Sequence, residues 1–84
     1  MKEFLVRVLI EPKPELLDPQ GQAVERALAE LGLKNASQTR VGKLITFKLK
    51  AISSGQARDK VTEIAQKFLA NPVIERCSVE VEEL

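Results

Sequence analysis

Asp18-Pro19-Gln20-Gly21 marks the start of a helix and gives the first clear division in this chain. Asp18 is typical of an N-cap, because its carboxylate can accept hydrogen bonds from the free amides of the first turn. Pro19 suits the first helical position since it has no amide to satisfy. Gly21 stands where a stronger helix former would be expected. The tetrapeptide therefore predicts a capped helix whose backbone, without a side chain at Gly21, is approached closely by another group.

The segments on either side of this helix start have different periodicities. Residues Phe4 to Ile10 alternate between a fully apolar face and a mixed face, which predicts a strand. The mixed face carries Leu5 and Leu9, which are too apolar for free solvation, so we expect another subunit to cover part of it. After Asp18, apolar residues recur at helical spacing as far as Leu31, which predicts the first helix.

A second alternating segment runs from about Thr39 to Ala51. At about 3.3 Å per residue it would be nearly 40 Å long, about twice the usual strand, so we expect one end to overhang the domain. Gly42 inside it indicates a bulge or close packing by another backbone. Lys43 follows Gly42, but no phosphate-binding loop surrounds it, so it is interpreted as a solvated lysine.

The remaining third of the chain predicts a helix and a last strand. Ser53-Ser54-Gly55 provides a turn and an N-cap, and an apolar helical stripe follows as far as Asn71. Asn71-Pro72 ends this helix, because Asn tolerates a left-handed cap and Pro cannot continue the helix. Ile74 to Val81 alternate again, with Cys77 on the inward face as a small apolar residue.

The order β-α-β-α-β predicts a single α+β domain over residues 1–84, an open-faced sandwich of one small sheet with both helices on one face. Three strands leave two free edges, and such edges are commonly paired with another chain. We therefore expect a sheet-mediated homodimer, with a dimer of dimers as the alternative assembly.

Composition excludes several classes of function. The chain has 84 residues, 44% of them hydrophobic and 30% charged, with a net charge of +1. This balance favours a folded domain and gives no field that would attract nucleic acid or an anionic membrane. The N-terminus does not resemble a signal peptide and no apolar run is long enough to span a membrane, so a cytoplasmic location is expected.

The sequence contains no histidine and one cysteine, which removes the commonest general base and the commonest zinc ligand. Asp18 is interpreted as a cap rather than an acid or base. Glu75 could set register against a partner, although an ordinary strand-edge charge is the slightly favoured interpretation. No catalytic, cofactor or metal site is expected in this chain.

Three segments together resemble the small PurS subunit of phosphoribosylformylglycinamidine (FGAM) synthase. They are Asp18 to Gly21, Val41-Gly42-Lys43, and Leu69 to Glu75, and their order and spacing fit a chain of this length. The resemblance covers nearly the whole chain. Cys77 departs from it, because an aromatic residue is expected at that position.

This resemblance implies a noncatalytic subunit of a ligase complex in de novo purine biosynthesis. Such a subunit bridges a glutaminase, PurQ, and a large ATP-dependent synthetase, PurL, and helps ammonia pass between them. ATP and magnesium are then expected on the large subunit and not on this chain. The residues expected at the partner interface are Asp18, Gln20, Gly21, Gly42, Lys43, Asn71, Pro72 and Glu75.

Two other functions remain open on the residues alone. An ACT or ferredoxin-like regulatory module also pairs sheets and binds small ligands between subunits, although it ordinarily has a further strand between the helices. RNA binding is the second alternative, suggested by a basic stripe of Arg40, Lys43, Lys48 and Lys50. It lacks an aromatic pair for base stacking, so a solvated face is the simpler interpretation.

Overall fold

The computed structural model describes residues 1–84 as one small α+β domain, which confirms the predicted order of elements. The elements are strand β1 (Lys2–Pro12), helix α1 (Pro19–Glu30), strand β2 (Lys43–Ala51), helix α2 (Ser54–Ile64) and strand β3 (Glu75–Glu83). After helix α2 the chain continues for one turn as a π-helical segment, Ala65–Leu69.

The sheet has three strands in the order β2-β1-β3, and both neighbouring pairs are antiparallel. The most apolar strand, β1, takes the central position, where it is paired on both sides. Val8 lies opposite Ile45 of β2 and Val79 of β3, so the predicted inward faces of the three strands coincide. Strands β2 and β3 each keep one free edge.

The core lies between one face of β1 and helix α2. Phe4, Val6, Val8 and Ile10 are almost completely buried. Ala57 and Val61 of helix α2 and Ala65 of the π-helical segment cover them, in two clusters. Small side chains at this contact allow the helix backbone to approach the sheet closely, so a short helix suffices to exclude water from β1.

The π-helical segment changes which residues of the second helix face the sheet. The amide of Ala70 donates to the carbonyl of Ala65 at 2.9 Å, five residues earlier, and this widens the final turn. Ala65 and Ala70 are buried, whereas Ile64 is half exposed and Phe68 is 81% exposed. The predicted apolar stripe of this helix is therefore narrower than its sequence indicates.

Strand β2 is shorter than predicted. It starts at Lys43, which pairs with Ile10 near the end of β1, and residues 39–42 lie outside the sheet. Strand β1 continues to Pro12, but residues 39–41 do not pair with it and instead contact α1 and the segment that leads into α1. The expected overhang of a strand nearly 40 Å long is wrong for this chain, and Gly42 lies just before the strand rather than inside it.

Helix α1 contributes less to the core than α2 does. No α1 residue belongs to either core cluster. Val24 is 41% exposed and Leu31, at the C-terminal end of the helix, is 83% exposed. The molecule is elongated, 49 × 28 × 15 Å.

Phe4 and Phe68 allow a matched test of this core. We expect Phe4→Ala to reduce the free energy of unfolding by about 3–5 kcal/mol, because it empties a fully buried site. Phe68→Ala should change it by less than about 0.5 kcal/mol, as is usual for an exposed position. Urea unfolding followed by circular dichroism measures both. Equal losses in the two variants would contradict the placement of the π-helical segment.

Candidate functional site

The three segments singled out in the sequence meet at one end of the sheet. We call this region the signature end and define it as residues 18–21, 39–43 and 71–75. Lys43 and Glu75 are paired with the last residues of β1, Ile10 and Pro12, from opposite sides. The amide of Lys13 donates to the carbonyl of Ile74 at 3.0 Å, which ties the approach to α1 to the third segment.

Asp18 occupies the N-cap position of α1, as predicted, with an extended backbone conformation. Its side chain, however, makes no capping hydrogen bond within the helix. Oδ2 instead accepts a hydrogen bond of 2.8 Å from the amide of Val41. The predicted cap is therefore a long-range anchor, since it joins the start of the helix to the segment that precedes β2.

The carboxyl group of Asp18 is buried, yet its charged form is favoured. The hydrogen bond from the Val41 amide lowers the pKa of Asp18 most strongly, against desolvation, which raises it. The amide of Gly21, the Arg40 guanidinium and the amide of Gln20 lower it further. Dipoles and charge from both segments therefore converge on one carboxylate.

Gly21 is the point of closest approach between the same two segments. A Cβ atom placed on Gly21 would collide with the backbone carbonyl of Thr39, and it would also meet Asp18 Oδ2 at 2.8 Å. This confirms the expected close approach and identifies the approaching group as the chain's own backbone. Gly21 is buried by that contact, so it supports the site from within and is not itself a free surface.

Gly42 also lies where two stretches of backbone approach closely. A Cβ atom here would collide with the carbonyl oxygen of Ile10, and it would lie 3.2 Å from Cα and Cβ of Glu11. The prediction of close packing by another backbone is confirmed. Because Gly42 comes just before Lys43, this contact sets where strand β2 joins the sheet.

Arg40 and Glu25 complete the anchor, and the sequence interpretation missed both. Glu25 Oε1 accepts hydrogen bonds from the amide of Thr39 at 3.1 Å and from its hydroxyl at 2.9 Å. Arg40 donates to the carbonyls of Leu16, at 2.6 Å, and Pro14. From the sequence, Arg40 is placed in a solvated stripe and Glu25 is not singled out. The seven-residue spacing from Asp18, two helical turns, was the available signal for Glu25.

Glu75 connects the second and third segments. One carboxylate oxygen lies 3.9 Å from Lys43 Nζ across the end of the sheet. The other accepts a hydrogen bond of 2.9 Å from the amide of Asn71. Asn71 Oδ1 in turn accepts from the amide of Val73 at 3.1 Å, which makes a local turn around Pro72. These hydrogen bonds within the chain fix the conformation of the exposed turn.

The predicted site residues therefore divide into a support and a surface. Asp18 and Gly21 are buried, Glu75 is half-buried, and Gly42, although exposed, packs against the Ile10 backbone. Gln20, Lys43, Asn71 and Pro72 remain exposed. They are accompanied by two strongly exposed apolar side chains that the prediction omitted, Leu17 and Val73.

Comparison with known proteins decides the family. A profile of PurS, described as phosphoribosylformylglycinamidine (FGAM) synthase, matches residues 5–83. The chain belongs to the PurS family. The PurS subunit of Methanocaldococcus jannaschii is 32% identical over 81 residues, which cover 96% of this chain and 98% of that protein. The proposed resemblance is confirmed.

Solved PurS structures share the fold. Thermus thermophilus PurS superposes with a TM-score of 0.83 at 37% identity, and the match covers 98% of each chain. A chain of the PurLQS structure from Thermotoga maritima gives a TM-score of 0.77 at 30% identity, with complete coverage of both chains. The PurS family therefore accounts for the whole of this chain, as a subunit of FGAM synthase.

The ACT or ferredoxin-like alternative is not favoured. The chain has three strands, and β2 is the single strand between the two helices. The family match spans the same elements.

Three further features of the chain concern metal binding, its thiol group and membrane insertion. No group of three His, Cys, Asp or Glu side chains is placed to hold a metal ion. Cys77 is a free thiol, half-buried against the core cluster of β1 and α2, which agrees with its predicted packing position. Neither helix is both long and apolar enough to cross a membrane.

Gly21 and Gly55 give a matched test of the close approach. We expect Gly21→Ala to lower the free energy of unfolding by about 1–3 kcal/mol, because the added methyl group must displace backbone. Gly55→Ala, in the first turn of α2, meets nothing closer than 3.9 Å and should change stability by less than about 1 kcal/mol, in the stabilising direction. Denaturant unfolding measures both, and a neutral Gly21→Ala would contradict the contact.

The stability of the chain should depend on the protonation of Asp18. Folding lowers the pKa of Asp18 below that of the unfolded chain, so its contribution is complete above the unfolded pKa of about 3.9. It is lost as pH falls through the lower folded pKa, because the unfolded state then binds the proton more tightly. We expect Asp18→Asn to flatten the decline in stability below about pH 5. The exposed Asp59→Asn is the control, and an unchanged acid profile in Asp18→Asn would refute the assignment.

Proposed function

We propose that this PurS-family subunit bridges the glutaminase PurQ and the synthetase PurL and assists the transfer of ammonia between them. The observation that carries the proposal is the signature end, where exposed side chains are held in place by buried contacts within the chain. We call these exposed side chains the rim: Leu17, Gln20, Lys43, Asn71, Pro72 and Val73. The structural relationship to a chain of a PurLQS complex supports the choice of partners. On this proposal the subunit contributes geometry to FGAM synthesis and leaves the chemistry to its partners.

A bridging subunit needs a surface that keeps its shape before it meets a partner, because a rigid surface loses less conformational entropy on binding. The rim has this property. Asn71 and Glu75 hold the turn around Pro72, while Asp18 and Glu25 hold residues 39–41 against α1. Exposed apolar side chains on such a rim are suited to burial by another protein.

The physical reason for a bridge lies in the chemistry of ammonia. In neutral water most ammonia is protonated, and the ammonium ion has no lone pair with which to attack. A path that excludes water preserves the nucleophile between the site that releases it and the site that uses it. A noncatalytic subunit that seals or aligns the two larger proteins therefore raises the glutamine-dependent rate without a reactive group of its own.

The same proposal covers the cofactors, the cellular location and the oligomeric state. ATP and magnesium bind the large synthetase subunit, and the chain itself carries no cofactor. The complex acts in the cytoplasm, and the chain binds neither nucleic acid nor membrane. The subunit is a homodimer formed through a free sheet edge, with a dimer of dimers as the next possible assembly.

Reconstitution tests the function directly. The two larger subunits are assayed for amidine formation with glutamine, and separately with ammonium salts, in the presence and absence of this chain. We expect its removal to abolish most of the glutamine-dependent rate and to leave the ammonia-dependent rate unchanged. Retention of the full glutamine-dependent rate without the chain would reject the proposal.

A pair of exposed apolar residues at opposite ends of the sheet tests the site. Val73, at the signature end, is 74% exposed, and Ile52, after β2, is 67% exposed. We expect Val73→Asp to weaken association with the larger subunits by about tenfold or more, equivalent to about 1.4 kcal/mol, with normal folding. Ile52→Asp is the control. Equal effects of the two variants would remove the signature end as the contact surface.

A further inference from the structure

A polar cleft adjoins the signature end, where strand β1 leads toward α1. Its volume is about 490 Å³, and it is lined by Glu11, Pro14, Gln38, Arg40 and Arg76. Apart from the Pro14 ring, no apolar side chain contributes to its wall. The cleft therefore places two guanidinium groups and one carboxylate on a single concave surface.

Arg40 is held in the cleft by neutral groups. Its guanidinium donates to the carbonyls of Leu16, at 2.6 Å, and Pro14. It forms no ion pair within the chain. Asp18, the acid on which its charge acts, lines the adjoining cavity and not the cleft. The side chain is thus fixed in position while its positive charge remains available in the cleft.

Arg76 and Glu11 form a pair that uses only part of each group. Nε and Nη2 of Arg76 both lie 2.6 Å from the same oxygen, Oε1 of Glu11. A guanidinium has more donors, and a carboxylate more acceptors, than this contact uses. Nη1 of Arg76 is therefore free to bind another group. With two arginines against one glutamate, the cleft has a net charge of +1.

Gln38 has an unusual backbone conformation at the wall of this cleft. It is the one residue other than glycine with a positive φ, 56°. Left-handed backbone is uncommon for residues with a side chain, and such strain concentrates at functional sites. Hydrogen bonds made by the next two residues, Thr39 and Arg40, maintain the conformation. Gln38 thereby brings a neutral amide to the wall that Arg40 also lines.

This composition favours a carboxylate delivered by a protein over a free small ligand. Sites that hold small molecules bury them against mostly apolar walls, which this cleft lacks. A phosphate dianion would exceed the net positive charge and would meet Glu11, whereas a single carboxylate matches that charge. Guanidinium groups bind carboxylates through two parallel hydrogen bonds, so the contact has direction as well as charge.

The cleft is continuous with the surface proposed for the larger subunits. Arg40 belongs to the signature end, and Arg76 follows directly after it. On the open face of the sheet, Leu9 shares a shallow hollow with Arg76 and lies opposite Leu44. Leu9 is 39% exposed and Leu44 is 58% exposed. A protein that covers these apolar side chains would also exclude water from the cleft, which strengthens an ion pair there.

We propose that the cleft between Arg40 and Arg76 receives an aspartate or glutamate side chain from one of the two larger subunits. Arg40 is the fixed donor, Arg76 adds its free Nη1, and the Gln38 amide donates a further hydrogen bond. This inference rests on the proposed function, since it requires that a larger subunit covers the signature end. It adds the chemistry by which that partner is recognised.

Two arginine–glutamate pairs on the same face of the sheet provide a matched test. Arg7 and Glu82 form the second pair, 2.9 Å apart, and line no part of the cleft. All four side chains are partly exposed, so the single glutamine variants should keep the fold, which circular dichroism checks. Binding of each fluorescently labelled variant to the larger subunits is then measured at low and at high salt.

We expect Arg76→Gln to weaken binding about fivefold or more, because it removes a charge that meets the incoming carboxylate. Glu11→Gln should tighten binding about threefold or more, because it removes the acid that competes for the same arginine. Arg7→Gln and Glu82→Gln change the net charge of the chain by the same amounts and should stay within about twofold of the unaltered chain. High salt should reduce both cleft effects.

The outcomes separate this inference from the function on which it rests. Equal effects of the matched variants in the two pairs, or weaker binding of Glu11→Gln, would overturn the carboxylate site and leave the bridging role intact. Thermal stabilisation of the isolated chain by inorganic phosphate, lost in Arg76→Gln, would overturn it in favour of a small-anion site. Failure of the unaltered chain to bind the larger subunits would overturn the proposed function together with this inference.

Discussion

The bond from the Val41 amide to the Asp18 carboxylate determines the form of this molecule. It holds the start of α1 against the residues before β2, and it forces the two backbones so close that only glycine fits at position 21. Glu25 repeats the same connection two turns further along the helix. These polar contacts hold α1, which adds no residue to the core clusters and leaves Val24 and Leu31 exposed.

A consequence of this anchor is that the chain has a small core. One helix covers the central strand, and the residues that are nearly inaccessible are those of β1 and the small side chains of α2. A domain of this size gains little stability from its own core, so its uncovered surface is available for association with other proteins. Such association would bury apolar side chains that the chain alone leaves exposed.

The residues that mark the PurS family in this sequence act mostly by supporting a surface. Asp18, Gly21 and Gly42 fix backbone against backbone inside the chain, and Glu75 fixes the turn at Asn71. The side chains left exposed beside them, such as Val73 and Lys43, are the ones that another subunit can reach. A family signature can thus mark the residues that support a surface more strongly than the side chains exposed on it.

The sequence by itself determined the order of the elements, the inward face of each strand, the N-cap position of Asp18 and the close approach at Gly21, because alternation and backbone freedom are local properties. The tertiary structure alone decided that Thr39 is the group that approaches Gly21, that β2 starts at Lys43, and that α1 adds no residue to the core clusters. It also decided the π turn that exposes Phe68. These features depend on contacts between residues distant in sequence, where several pairings satisfy the same local pattern and packing selects one.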